Sequence, residues 1–108
     1  MIMELRIYKT LPGKMGELLA RFTKDTLRIW DRHGIRQAGF WTTLVGPDSS
    51  ELIYMLAWES LAERETKWAA FQADPEWIAT RAETEKAGPI NASMSNAFLV
   101  PTAFSSVR

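Results

Sequence analysis

The segment ELIYMLAWE, residues 51–59, has apolar side chains on both of its alternating faces. One face carries Leu52, Tyr54, Leu56 and Trp58, and the other carries Ile53, Met55 and Ala57. A strand that is apolar on both faces is typical of a sheet that is covered on both sides. In a chain that contains such a strand, each face of the sheet is therefore expected to pack against other parts of the chain or against another subunit.

Three further strands are predicted around this one. Residues 36–46 are rich in aromatic and β-branched side chains, and the turn-forming stretch GPDSS joins them to residues 51–59 as an antiparallel hairpin. Residues 2–11 predict a first strand and residues 90–100 predict a last one.

Helical regions separate these strands. Residues 15–33 have apolar side chains at steps of three and four, which predicts an amphipathic helix whose charged residues, Arg21 among them, lie mostly on the solvent side. Ser60 and Glu63 have the spacing of a capping box and begin a second helical region. Asp74, followed by proline, begins a further helical piece.

The resulting order is β-α-β-β-α-β, which predicts an α+β fold. Right-handed crossovers then give a ferredoxin-like, four-stranded antiparallel sheet with the helices on one face. With 108 residues, the chain is expected to form a single domain, residues 1–108. The other face of the sheet has no helix to cover it.

The first strand has one apolar and one polar face. We expect Met3, Leu5 and Ile7 to face the helices, which sends Arg6 and Tyr8 to the bare face. A bare face that also carried apolar residues of the other strands would be a larger apolar patch than a monomer usually exposes. The sequence therefore predicts a homodimer through the sheet face, with a space between the two sheets that Arg6 and Tyr8 line.

This space is the candidate ligand site. An arginine in an apolar cavity can hold a carboxylate or enolate by two parallel hydrogen bonds, and a neighbouring tyrosine can add a hydroxyl donor. The predicted ligand-binding residues are Arg6, Tyr8, Tyr54, Trp58, and Trp41 or Phe40 as walls. The alternative is that Arg6 pairs with Glu4 at the dimer seam and binds no ligand.

Candidates for proton transfer are few. His33 is the only histidine, and its side chain titrates near neutral pH, but its place at a helix end also suits a capping role. Tyr54 is a second, weak candidate. One histidine and no cysteine provide no recognisable metal site, and no cofactor motif is present, so we expect neither a metal nor a cofactor.

Charge and composition narrow the possible partners. Thirteen basic and thirteen acidic residues balance, without runs of like charge, so nucleic-acid and anionic-membrane partners are not expected. The absence of cysteine excludes disulfides and thiolate chemistry. With no signal-like or membrane-spanning stretch, a cytoplasmic location is expected.

Five short motifs in register resemble one known family. They are ELRIY at residues 4–8, PGK at 12–14, GFWTT at 39–43 with Gly46, SLAER at 60–64 and DPEW at 74–77. Together they cover nearly the whole chain and are similar to the NIPSNAP domain. This resemblance implies a dimeric α+β barrel, whose relatives include cofactor-independent monooxygenases, haem-degrading enzymes, isomerases and ligand-sensing modules.

The chain departs from the family pattern at two positions. Relatives often have histidine at the position of Tyr54 and tryptophan at that of Leu56, so chemistry that depends on that histidine is not implied here. The sequence thus favours a homodimeric module that binds a small, partly apolar, anionic molecule. The alternatives are a cofactor-independent monooxygenase or isomerase, and a dimeric interaction module without a ligand.

Overall fold

The computed structural model describes residues 1–107 and has the predicted order of elements. The strands are β1 (Ile2–Thr10), β2 (Arg36–Thr42), β3 (Glu51–Trp58) and β4 (Asn91–Leu99). The helices are α1 (Met15–Arg21), α2 (Leu27–Arg32), α3 (Leu61–Gln72) and α4 (Pro75–Thr84). A π-helical turn, Phe22–Thr26, joins α1 to α2.

The four strands form one antiparallel sheet in the order β2-β3-β1-β4. The two central strands are therefore β3 and β1, and β2 and β4 are the edges. The α+β, ferredoxin-like fold is confirmed, with the hydrophobic core between the sheet and the helices.

Helix caps form where the sequence predicts them. Ser60 accepts a hydrogen bond from the backbone N–H of Glu63, and Asp74 accepts hydrogen bonds from the backbone N–H groups of Glu76 and Trp77. Each side chain satisfies donors that the first helical turn leaves unpaired.

The second strand is shorter than predicted, because it ends at Thr42 instead of residue 46. Thr42 pairs with Leu52 near the start of β3, so the next residues have no length of strand left to pair with. They form an exposed loop, in which Leu44 and Val45 are almost fully accessible to solvent.

The orientation predicted for β1 is wrong. Arg6 and Tyr8 are buried and lie on the helix-covered face, as does Glu4. Met3, Leu5 and Ile7 lie on the other face, where Met3 is buried and Leu5 and Ile7 are only partly buried. The reason is the network of hydrogen bonds described below, which makes burial of the polar set possible.

We call the face without helices the open face. It is formed by Leu5, Ile7, Trp41, Ile53, Met55 and Ala57. The register places Leu5 opposite Met55, Ile7 opposite Ile53, and Ile53 opposite Trp41, so these side chains form one continuous apolar surface.

Candidate functional site

A cavity of about 260 Å³ lies between the sheet and the helices. Its wall includes Arg6 and Tyr8 of β1, Arg21 and Phe22 at the π-helical turn, Trp30, Trp68 and Trp77 of the helices, and Asn91 and Met94 of β4. The predicted pair of arginine and tyrosine therefore does line a cavity, but on the opposite side of the sheet from the one expected.

Arg6 is the centre of a buried hydrogen-bond network. Its Nε donates to the Tyr54 hydroxyl at 2.6 Å, its Nη1 donates to Glu4 Oε2 at 2.9 Å, and its Nη2 donates to the Tyr8 hydroxyl at 3.2 Å. The guanidinium carbon also lies 4.5 Å from the centre of the Trp68 ring, a favourable cation–π distance. Three of the five guanidinium N–H groups are thus bound within the protein.

Glu4 neutralises this arginine and is itself fully buried. It accepts hydrogen bonds from Arg6, from Trp58 Nε1 at 3.1 Å and from Asn96 Nδ2 at 2.9 Å, and Arg64 contributes two longer ones at 3.3 Å. Burial alone would raise the pKa of Glu4, but the hydrogen bonds from Asn96, Arg64 and Arg6 outweigh it and lower the pKa. Glu4 is therefore held as a carboxylate at neutral pH.

The expected alternative for Arg6, a pairing with Glu4, is therefore also present, although it lies under the helices and not at a dimer seam. One arginine takes part in both an ion pair and the wall of a cavity.

The two tyrosines of the protein are joined by a hydrogen bond of 2.7 Å, in which the Tyr54 hydroxyl donates to the Tyr8 oxygen. Tyr8 also accepts from Arg6, so both acceptor positions of its oxygen are used. Its own hydrogen is left to donate elsewhere, and Tyr8 lines the cavity. The network thus presents a hydroxyl donor to whatever occupies that space.

Tyr54 is fully buried, and burial raises the pKa of its hydroxyl well above the usual value of 10.0. The group stays protonated at any physiological pH. This favours a role as a fixed hydrogen-bond donor over a role in proton transfer.

The other predicted wall residues are divided between the two faces. Phe40 stacks on Tyr54 with ring centroids 4.7 Å apart, and neither side chain is part of the cavity wall. Trp58 donates a hydrogen bond to Glu4 and is not part of that wall either. Trp41 is 52% exposed and lies on the open face, where Gly39 leaves room for its ring. Ligand binding by these three side chains stays a prediction.

His33 is not part of the cavity wall. Its Nε2 lies 2.6 Å from Asp74 Oδ2, and Arg32 binds the same carboxylate oxygen. The side chain thus links the end of α2 to the start of α4, instead of capping helix carbonyls. The hydrogen bond with His33 is the main reason that the pKa of Asp74 is lowered.

The main residue that sequence reasoning missed is Arg21. The helical pattern placed it on the solvent side, but it is only 6% exposed, and its Nη1 binds Thr84 at 3.2 Å and Glu85 at 3.0 Å. The π-helical turn begins directly after it. Such turns are frequent at functional sites, but the residue types in this segment do not predict one.

Among residues 1–107, no group of three or more His, Cys, Asp or Glu side chains is arranged to hold a metal ion. No helix in this described part of the chain is long and apolar enough to cross a membrane.

Comparison with known proteins places this site in a family context. A NIPSNAP family protein from Agrobacterium tumefaciens strain C58 is 30% identical, with a TM-score of 0.88 over 99% of this chain and 98% of that chain. An uncharacterized NIPSNAP domain protein from Burkholderia xenovorans is 28% identical, with a TM-score of 0.84 over 97% of this chain and 98% of that one.

More distant structures share the fold alone. A putative antibiotic biosynthesis monooxygenase from Nitrosomonas europaea has a TM-score of 0.63 at 9% identity, over 94% of this chain and 98% of that chain. A comparison with curated proteins found no significant match. The NIPSNAP family model, by contrast, matches residues 3–106. The chain therefore belongs to the NIPSNAP family.

Proposed function

We propose that this protein is a small-molecule-binding module whose ligand is partly apolar and anionic and occupies the cavity between the sheet and the helices. The observation that carries this proposal is the pair formed by Arg6 and Tyr8 in the cavity wall. Both side chains are at least nine-tenths buried, and each is fixed by hydrogen bonds from its protein neighbours. Fixed donors need no reorganisation when a ligand arrives.

The charge of the site favours an anion. The charge of Arg6 is balanced by Glu4. In the rest of the cavity wall, Arg21 and Arg81 share one carboxylate, that of Glu85, which leaves an excess of one positive charge. The Tyr8 hydroxyl adds a donor without adding charge. An oxygen of a carboxylate or enolate, placed beside Tyr8, would receive this hydrogen bond in a site of low polarity.

The experiment is a titration of the purified protein with benzoate and with its neutral counterpart benzamide, followed by intrinsic tryptophan fluorescence. We expect benzoate to bind better than benzamide, and Tyr8→Phe to lower the benzoate affinity by about 10-fold, the effect of a lost hydrogen bond to a charged group. Arg36→Met, which removes an exposed arginine of β2, is the matched control and should leave binding unchanged. Equal, weak binding of both compounds would contradict the proposal.

The open face supports a second copy of the chain as the partner. Its six apolar side chains are contiguous and only partly buried. Covering them with the same face of another protomer would remove this apolar surface from water. In the functional unit proposed here, each chain is one module, residues 1–108, of a homodimer, and a cytoplasmic location stays a prediction.

An enzyme is the alternative that one observation favours. A hydroxyl donor beside an apolar cavity can stabilise an enolate-like oxygen, which is the charge that a cofactor-independent monooxygenase or isomerase must stabilise. His33 is bound to Asp74 away from the cavity, so the donor in this alternative is Tyr8. Oxygen consumption and product formation with a panel of hydroquinones separate the two functions, because a monooxygenase consumes oxygen, an isomerase forms product without consuming it, and a binding module does neither.

A further inference from the structure

Four buried side-chain nitrogen and oxygen atoms among residues 1–107 have no hydrogen-bond partner, and all four belong to residues of the cavity wall. Three are donors, Arg21 Nε, Trp30 Nε1 and Trp77 Nε1, and one is an acceptor, Asn91 Oδ1. Unpaired buried polar atoms are rare in proteins, because each costs free energy comparable to a lost hydrogen bond. Their concentration around one cavity indicates groups that an occupant can bind once small side-chain rotations turn them toward it.

The three donors belong to the helices that cover the cavity. Arg21 ends α1, Trp30 belongs to α2 and Trp77 belongs to α4. Their side chains are 6%, 2% and 8% exposed. The Arg21 guanidinium also stacks on Trp77, with 5.2 Å between its carbon and the ring centre, so Arg21 and Trp77 form one unit.

Arg21 is only partly neutralised from within the protein. Its Nη1 donates to Glu85 Oε2, but the same carboxylate oxygen also accepts from Arg81 Nε at 3.3 Å. The single negative charge of Glu85 is therefore shared by Arg21 and Arg81. A planar guanidinium with a free Nε edge matches the two oxygens of a carboxylate.

The unpaired donors and the unpaired acceptor of the cavity wall indicate which groups the ligand carries. Three unpaired donors, together with Tyr8, call for oxygen acceptors, whereas Asn91 Oδ1 calls for a single donor such as a hydroxyl. The wall is also aromatic, with Phe22, Trp30, Trp68 and Phe71. A volume of about 260 Å³ is below the roughly 300–1,000 Å³ of pockets for drug-sized ligands, which suits one ring.

From this arrangement we infer that the ligand is a single-ring aromatic acid that also bears a hydroxyl group. One oxygen of its carboxylate accepts from Tyr8, as in the proposed function, and the other binds Arg21 and the indole N–H groups of Trp30 and Trp77, while its hydroxyl donates to Asn91. Arg21 is thereby a specificity-determining residue. The inference rests on the proposed function, and it adds the chemical class of the ligand and a second set of binding residues.

The test uses the full chain and the indole N–H signals of its five tryptophans in proton–nitrogen NMR. The probes are the three isomers of hydroxybenzoate, benzoate and phenol. We expect the best hydroxybenzoate to shift the signals of Trp30 and Trp77, since each gains a hydrogen bond. Trp41, which is outside the cavity, and Trp58, which already donates to Glu4, are internal controls and should not shift.

Three variants assign the contacts. Arg21→Met should weaken hydroxybenzoate binding by roughly 10–100-fold, the usual effect of losing a hydrogen bond to a charged group. Arg21→Lys keeps the positive charge opposite Glu85 and protects the fold, and its effect should be smaller. Asn91→Ala should weaken hydroxybenzoate by roughly 2–10-fold and leave benzoate unchanged, because only the former has a hydroxyl to donate.

The outcomes separate this inference from the proposed function. If aromatic acids bind with dependence on Tyr8 but equally well in Arg21→Met and in the wild type, the proposed function stands and the inference is wrong. If phenol binds as well as hydroxybenzoate, the anionic group has no role and the inference is also wrong. If none of the probes shifts any indole signal, the site does not take aromatic acids and both fail.

Discussion

The two faces of β1 contradict the usual rule that polar residues face water and apolar residues face the core. On the helix-covered face of β1, Glu4, Arg6 and Tyr8 are 0%, 8% and 8% exposed. On the open face of the same strand, Leu5 and Ile7 are less completely buried. The polar side of the strand is the better buried side.

The difference shows that burial follows available partners as well as hydrophobicity. Glu4, Arg6 and Tyr8 each contact side chains from β3, and Glu4 also contacts β4 and α3. A buried charge is tolerated only when such partners are complete. The apolar side chains of the open face need a cover instead of hydrogen-bond partners, and no helix lies on that face. For this reason a second copy of the chain is proposed to cover them.

The largest effect on stability is expected when the charge of Glu4 is removed. Glu4→Gln leaves Arg6 and Arg64 without a buried counter-charge, and we expect a loss of about 3–5 kcal/mol in the free energy of unfolding. Urea denaturation followed by circular dichroism measures it. Glu17→Gln removes a carboxylate that pairs with Lys14 on the surface and should change stability by less than about 1 kcal/mol. Similar losses in the two variants would show that the buried network does not support the fold.

A charge introduced on the open face tests whether that face is covered by a second copy of the chain. Met55→Lys would bury an unpaired ammonium group in the proposed dimer interface, so we expect dimer affinity to fall by about 2–3 kcal/mol, or roughly 30–150-fold. Sedimentation at micromolar concentration measures the change. Leu61→Lys, on the exposed start of α3, adds the same charge to the helix side and should leave the dimer intact. A wild-type protein that sediments as a monomer would contradict the proposed interface.

A smaller change sharpens the account of the polar face. Tyr54→Phe removes one hydroxyl, which leaves Arg6 Nε without its acceptor and Tyr8 without one of its two donors. We expect a loss of about 1–2 kcal/mol in unfolding free energy, in the range for an unsatisfied buried group, and weaker benzoate binding. Tyr8→Phe is the comparison, because it removes the donor that faces the cavity. If Tyr54→Phe left both stability and binding unchanged, the tyrosine pair would have no part in fixing the site.

The order of elements was predictable from local patterns, because each strand and helix has its own signals. The hairpin turn, the capping box at Ser60 and the Asp74 cap were all read from a few adjacent residues. The orientation of β1 was not predictable in this way. Its polar set is buried by Tyr54, Trp58 and other partners distant in the chain, and alternation within the strand carries no information about them.

The site was predictable only in part for the same reason. Arg6 and Tyr8 stood out because an arginine and a tyrosine share one strand face, and both do line the cavity. Arg21 did not stand out, because the helical pattern assigned it to solvent and the π-helical turn after it has no sequence signal. The choice between Phe40 and Trp41 depended on the register of β2, in which Phe40 is opposite Tyr54.

The last prediction compares the buried carboxylate of Glu4 with the more accessible one of Asp74. Asp74 caps α4 and contacts His33 and Arg32, with Glu76 beside it. Its folded-state pKa is lowered from 3.8, so the stability it contributes is present above that value and is lost as the pH falls through the folded-state pKa. Asp74→Asn should therefore be less stable than the wild type at pH 7. The difference in melting temperature between the two proteins should become smaller below pH 3.8, and thermal melts across pH 2–7 measure it. We expect the smallest effect of the four, because Arg32 and Glu76 beside this carboxylate are exposed, so solvent screens their charges. A gap that stays constant down to pH 2 would mean that the carboxylate charge of Asp74 is not what joins α2 to α4.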